Sequence, residues 1–296
     1  MRLNKLSLKD KGIFKEYLHL GEHKLSVYNF ANIYIWKKLF DIKWQIIEGS
    51  LCVFFSDKIG TFLYLEPLSK EKNPLLLTKA FVELDRANKN SEISRIENIE
   101  EARVDFYKSL GFDLRVKSFD YLCKRVDLAV LKGNRFKSKR AAFNYFINHY
   151  QPQYGAFLAK YKKDCLKLYR SWMQGRLIQN QDAVYKAMMQ DSLISLEVAL
   201  ENFQDLNITG KIVKINQEVS GFTFGFKLNK NTFCILYEIA DLSAKGLAQY
   251  IFRKFAQEIK EEYVNIMDDS GLENLKKVKL SYHPIQLVPA YIAKRP

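Results

Sequence analysis

The same run of patterns is written twice along this chain: three apolar strands, a helix, a strand, a helix and a strand. In the first half, apolar runs at residues 44–47, 51–55 and 61–65, broken by Glu48-Gly49 and by residues 57–60, predict an antiparallel meander. Pro74 then opens a helix to about residue 86, a position where its missing N–H costs nothing. A strand at 91–96, a helix at 99–110 ended by Gly111, and one or two closing strands within 112–131 complete the half. In the second half, helices at 161–173 and 183–203 precede strands at 208–215, 221–228 and 232–239. A helix at 244–259 with Leu247, Ile251, Phe255 and Ile259 on one face follows, then a strand at 263–267, a helix at 272–280 and a strand at 285–292. Antiparallel strands followed by crossover helices define an α/β (α+β) class, a mixed and mostly antiparallel sheet with helices on both faces, built twice. A helix over 139–150 that meets Pro152 and Gly155 puts the boundary there, giving domains 1–150 and 151–296.

A chain of 296 residues with 48% hydrophobic and 14% aromatic content can fill two cores and is not disordered. Its formal charge of +14 favours polyanionic partners such as nucleic acid, an anionic lipid surface or a phosphorylated cofactor, or else reflects a solvated lysine-rich surface. Cys52, Cys123, Cys165 and Cys234 stand far apart in apolar or helical contexts, with no Cys-x-x-Cys pair, as reduced core residues do. The first residues lack a signal-peptide core, and no apolar run approaches the roughly 20 residues of a spanning helix. The expectation is a soluble, cytoplasmic protein.

Candidate chemistry gathers late in the sequence. Glu238, Asp268 and Asp269 fall at or just past predicted strand ends, where open sheets present ligand-facing groups. A carboxylate there orients an ammonium or acts as a base, with Lys279 and Tyr282 across the cleft as charge stabiliser and proton donor. Asp269, ahead of Gly271 and a helix, equally suits a cap. Gly246 lies just inside a predicted helix start, so that exposed N–H groups and the helix dipole receive a phosphate, or Asp241 or Ser243 simply caps the turn. Lys124, Arg125, Lys132, Arg135, Lys137, Lys139 and Arg140 crowd one stretch against Asp127 alone. The helix that follows is expected to bury Ala142, Phe143, Phe146, Ile147 and Tyr150, so the stretch is either a phosphate-binding strip with stacking rings or a basic linker beside core aromatics. His19 and His23 have helical ligand spacing, but Gly21 and the want of a third ligand leave no metal site to expect. A phosphate-cradling glycine loop and a Gly-x-Ser-x-Gly elbow are both missing, which argues against nucleotide hydrolysis and ordinary esterase chemistry.

Three motifs carry a resemblance over nearly the whole chain: residues 28–36 (Tyr28-Asn29-Phe30 through Trp36), residues 131–140 (Leu131-Lys132-Gly133 through Arg140), and Asp269-Ser270-Gly271-Leu272 with Lys279-Leu280-Ser281-Tyr282-His283-Pro284. In these the chain resembles a bacterial family of unknown-function domains related to the C-terminal domain of phosphatidylglycerol lysyltransferase. The resemblance implies two tandem GNAT-like acyltransferase domains, an architecture shared with Fem-type peptidyltransferases that use aminoacyl-tRNA. It implies transfer of an aminoacyl group from aminoacyl-tRNA to a lipid or small-molecule hydroxyl or amine. Asp269 or Glu238 would hold the donor's ammonium, Lys279 or the N–H groups around Gly246 would meet the oxyanion, and Lys132, Arg135, Lys137, Lys139 and Arg140 would take tRNA phosphates. The alternatives are an acyl-CoA-dependent N-acyltransferase and a non-catalytic module that binds RNA or an anionic surface. The GNAT pyrophosphate loop, Gln/Arg-x-x-Gly-x-Gly/Ala, maps onto residues 243–248 with Gly246 and Ala248 in place and Ser243 replacing the first residue. Ser243, Lys245, Gly246 and Ala248 are therefore the cofactor-binding candidates. The first-half counterpart, residues 68–74, has no glycine, so the first domain is expected to lack a cofactor site.

Overall fold

A computed structural model describes residues 3–70 and 74–295. The chain begins with β1 (Asn4–Lys5), α1 (Lys11–Leu18), α2 (Phe30–Tyr34), β2 (Asp41–Ile47), β3 (Ser50–Ser56) and β4 (Thr61–Leu63). It continues through α3 (Pro74–Ala87), β5 (Arg95–Glu100), α4 (Val104–Ser109), β6 (Asp113–Lys124), α5 (Arg125–Val130), α6 (Lys137–His149) and β7 (Gln153–Ala156). The remainder is α7 (Lys162–Gln179), α8 (Ala183–Glu201), β8 (Thr209–Ile215), β9 (Glu218–Lys227), β10 (Thr232–Ala240), α9 (Leu247–Glu258), β11 (Tyr263–Asn265), α10 (Glu273–Leu280) and β12 (Gln286–Lys294). The doubled order is present as β2-β3-β4-α3-β5-α4-β6 and β8-β9-β10-α9-β11-α10-β12.

Two compact units divide the chain: Met1–Asp120 with Asp268–Glu273 and Leu287–Pro296, and Tyr121–Met267 with Asn274–Gln286. In the first unit the strand order is β1-β2-β3-β4-β5-β12, parallel only between β4 and β5 at Leu63 and Ile96. Alternation along β3 covers both faces. Cys52 and Phe54 meet Leu77, Ala80, Phe81 and Leu84 of α3, while Val53 stands beside Trp44, whose ring meets Phe14 of α1 edge-on at 5.9 Å. Each such apolar side chain contributes roughly 1.5–3 kcal/mol relative to exposure, which is what docks α3 on the sheet.

In the second unit the order runs from the end of β6 through β11-β10-β9-β8-β7, parallel only between β10 and β11. Helices α7 and α8 cover one face; α9 covers the other, with α5 and α6 packed on it. The cut expected between residues 150 and 151 follows the repeats but differs from these units, because each repeat's closing strand is built into the opposite unit. Leu122, Cys123 and Lys124 of β6 pair with β11, and β12 pairs with β5.

Local departures have local causes. Residues 91–93 form a 3-10 turn instead of a strand, and Ile99 and Glu100 stay in β5, where Ile99 is fully buried, so the next helix starts later than its periodicity suggests. Residues 125–130 were expected as strand, but α5 forms there: Leu128 and Ala129 turn inward while Val126 and Val130 remain exposed. Ile147, expected in the core, is 44% exposed because it lies one residue round the helix from Phe146, which is fully buried. Glu71, Lys72 and Asn73, part of the first-half loop counterpart, lie outside the described residues.

Candidate functional site

The second unit gathers Glu238, Lys139, Lys279 and Tyr282 around one point, and a defect in a strand causes it. The β9–β10 register shifts between Ile235 and Tyr237, leaving Leu236 unpaired as a bulge. Side chains two apart on a strand normally share a face. Here Ile235 packs beneath α9, whereas the Tyr237 hydroxyl bonds Ser195 Oγ of α8 at 2.7 Å on the opposite side. The flip hands the α9 face to Glu238 and then to Ala240, which packs with Leu247 and Tyr250. Without the bulge Glu238 would point at α8.

Glu238 accepts no hydrogen bond among the described residues, and its Oε2 is sealed from solvent. Burial pushes its carboxyl up to about 8, against the opposing pull of Lys279 and Lys139. Directly across the ladder, Thr223 is fully buried with an unpartnered Oγ1. Lys139 Nζ sits 4.2 Å over the Tyr282 ring and makes no hydrogen bond among the described residues. Desolvation lowers its pKa, with Glu238 opposing the shift. Tyr282 is buried against Phe252 at 4.4 Å, and burial followed by the Glu238 charge raises its hydroxyl well above the ordinary value.

Two of the sequence motifs build this point. Arg140 donates to Leu131 O and, at 2.6 Å, to Gly133 O, folding residues 131–136 so that α6 begins with Lys139 on its inward side. Lys279 donates to Ile266 O and, at 3.3 Å, to Met267 O, which fastens α10 to the end of β11. His283 then meets Phe136 edge-on at 5.2 Å with its Nε2 3.2 Å from Arg135 O, holding the neighbouring Tyr282 beside Lys139.

The other expected residues are placed elsewhere or otherwise occupied. Asp269 belongs to the first unit, where its Oδ1 accepts from Gly271 N at 2.9 Å in a turn. Arg135 pairs with Asp127 at 2.9 Å, Arg140 serves the loop carbonyls, and Lys132 and Lys137 are exposed. The basic stretch is thus divided among different tasks. Gly246 has φ 89°, and a Cβ there would lie 2.2 Å from Ala142 O and 3.0 Å from Phe146 Cβ. Its smallness lets the backbone of α6 pass close to the start of α9. Ser243 N and Oγ both donate to Asp241 Oδ1, at 2.9 and 2.8 Å, and Lys245 lies over the Tyr145 ring at 4.6 Å; Ala248 is half-buried. A cavity of about 460 Å³ opens beside this loop, with Asp164, Lys167, Trp172, Glu218 and Asp241 among its walls. The excess of carboxylates there repels a pyrophosphate.

Sequence reasoning did not single out Thr223, and it grouped Lys139 with the phosphate-binding candidates, where the structure sets it over the Tyr282 ring. The signal for Lys139 was available: stepping back four residues from Phe143 along the stripe Phe143, Phe146, Tyr150 lands on it, a charge on an apolar face.

The doubled mixed sheet with its crossover helices defines a tandem GNAT-type, acyltransferase-like scaffold. The chain belongs to the family described as phosphatidylglycerol lysyltransferase, C-terminal, whose model matches residues 19–294. It is similar to a conserved protein of unknown function from Bacteroides thetaiotaomicron VPI-5482, at 26% identity and TM-score 0.89, over 100% of both chains. L-PGS from Bacillus licheniformis shares the fold at 13% identity and TM-score 0.66, over 99% of this chain and 93% of that one. A tandem GNAT protein from the clavulanic acid biosynthesis pathway does so at 7% identity and TM-score 0.51, over 98% and 97%. No curated protein matches the chain by sequence. No helix among the described residues is long and apolar enough to cross a membrane.

Proposed function

We propose that this chain is an aminoacyltransferase, moving an aminoacyl group from aminoacyl-tRNA to a hydroxyl or amine acceptor on a lipid or small molecule, with Glu238 as its acid–base group. The observation that carries the reading is Glu238 itself: a half-buried carboxyl whose Oε2 is closed to solvent and accepts no hydrogen bond, held near pKa 8 beside two lysines in a member of a lysyltransferase-related family. A base is most effective when its pKa lies near the working pH.

An aminoacyl ester is already activated, so the protein must align two reactants and manage protons and charge. Glu238 takes the proton of the acceptor's hydroxyl or amine as its oxygen or nitrogen bonds to the ester carbonyl carbon. Tyr282, whose hydroxyl stays protonated, and the positive field of Lys279 favour the oxyanion, and the tRNA ribose oxygen leaves with a proton. Exposed Lys132 and Lys137 suit the tRNA backbone. The closed approach at Gly246 and the carboxylates beside the loop favour aminoacyl-tRNA over acyl-CoA as donor. The test is transfer of labelled aminoacyl groups from a charged tRNA pool to extracted lipids and small-molecule acceptors, with acetyl-CoA in parallel. Transfer from tRNA that Glu238→Gln removes is expected. Transfer from acetyl-CoA alone, or full activity of Glu238→Gln, overturns the reading.

A further inference from the structure

The Lys139 ammonium has an unusual setting. It is desolvated, faces an aromatic ring at 4.2 Å, lies near enough to Glu238 for each charge to shift the other's protonation, and yet hydrogen-bonds to nothing among the described residues. A carboxylate and a ring face are the two groups that recognise an organic ammonium. The carboxyl oxygen Glu238 Oε2 and the fully buried Thr223 Oγ1, which face each other across the ladder, both lack a partner. A side chain settled for structural purposes would have been given a hydrogen bond, since an unmet buried polar group costs about 1–3 kcal/mol. These atoms suit an ammonium whose donors reach them, as those of Lys139 do not.

We infer that Lys139 is an internal stand-in for the ligand: the site is an ammonium-binding recess formed by Glu238, Thr223 and the Tyr282 ring, and the acceptor that reacts there is a primary amine. The inference rests on the aminoacyltransferase reading and narrows it, choosing amine over hydroxyl. The acceptor's ammonium displaces Lys139 Nζ, which swings towards solvent on its four-carbon stem. It then passes one proton to the Glu238 carboxylate, R–NH3+ and –COO− becoming R–NH2 and –COOH. The free amine nitrogen bonds to the ester carbonyl carbon, the carbon–oxygen bond to the ribose breaks, the ribose oxygen takes the Glu238 proton, and the new amide nitrogen returns one to Glu238. Neither oxidant nor further reactant is required. A hydroxyl acceptor has no charge with which to displace Lys139 from the ring face.

The test removes the stand-in and supplies its chemistry from outside. In the full chain, Lys139→Ala is titrated with propylammonium chloride at pH 9, above the native Glu238 value, with potassium chloride as the ionic-strength control and melting temperature as readout. The variant is expected to gain several degrees from propylammonium at concentrations that leave the native chain unmoved. Adding Glu238→Gln is expected to weaken propylammonium binding by about tenfold or more. Equal responses of the native and Lys139→Ala proteins, or an Ala variant whose response survives Glu238→Gln, would overturn the inference. Lys139→Ser replaces the Ala variant if that one does not fold. Turnover is not read, so the two readings fail separately: amine binding without any transfer retires the transferase alone, and transfer to hydroxyl acceptors without amine binding retires the stand-in alone.

Discussion

Glu97 in the first unit and Glu238 in the second are both carboxylates taken out of water on strands of mixed sheets, and their ionisation is driven in opposite directions. Burial alone would raise Glu97, but Lys117 Nζ and Arg95, each at 2.7 Å, outweigh it and hold the carboxyl below its ordinary value. Around it other carboxylates also have donors at bonding distance: Glu66 is paired with Arg103 at 2.8 Å, although burial still raises its carboxyl, Asp120 accepts from Ser26 N at 2.6 Å, and Glu100 takes His23 and the Lys24 N–H. Glu238 also has two cations nearby, but Lys279 directs its protons to backbone carbonyls and Lys139 faces a ring, so burial prevails. Through-space charge without hydrogen bonds does not replace a solvation shell. Donors at bonding distance make a carboxylate part of the framework; cations held off it leave a carboxyl that exchanges its proton in the working range.

The largest expected effect follows from that contrast. Glu238→Gln should lower kcat/KM for transfer by about 10²–10⁴-fold, and the native rate should rise with pH up to about 8 and then level, in steady-state assays across pH 6–9. A flat native profile would break the comparison.

The next effect is on stability, and its sign differs between the two acids. Glu238 binds its proton more tightly folded than unfolded, so the native chain loses stability as pH rises from the ordinary carboxylate range to about 8, relative to Glu238→Gln. The difference should reach the order of 5 kcal/mol above pH 8 and vanish in acid, by urea titration. Glu97 works the other way: its contribution is complete above the ordinary carboxylate range and is lost as pH falls through its depressed value. Lys117→Met should therefore destabilise at neutral pH by about 2 kcal/mol, since it leaves Glu97 with Arg95 alone, and by less in acid.

The smallest effect is expected at Asp269. Asparagine retains the oxygen that accepts from Gly271 N, so Asp269→Asn should change stability by less than about 0.5 kcal/mol and leave transfer intact. Loss of transfer in that variant would restore the catalytic role that its strand-end position suggested.

Much of this molecule was readable in advance, and the unreadable parts share a reason. Hydrophobic period and turn residues located the meanders, the crossover helices and Glu238 as a charge in an apolar strand, because those signals are local. The bulge at Leu236 that aims Glu238 is not local: it depends on β9, and an apolar run reads identically with or without it. Lys139 was grouped with the basic stretch because its charge drew attention before its place on the stripe of Phe143 and Phe146. Gly246 matched a loop motif that the approach of α6, more than ninety residues earlier in the chain, gives another purpose. Residues 125–130 fell within the stretch expected to supply one or two closing strands; pairing is what a strand needs, and β6 ends its pairing at Lys124.

The pairing of β12 with β5 has a consequence for how the protein is made. Until Tyr291 and its neighbours reach Ile99 and Glu100, β5 offers a row of unpaired peptide groups on that side, an edge of the kind that recruits other chains. The first unit is synthesised first and finished last. Its completion waits for β12 to emerge, which makes a lesion in β12 a lesion of the N-terminal half.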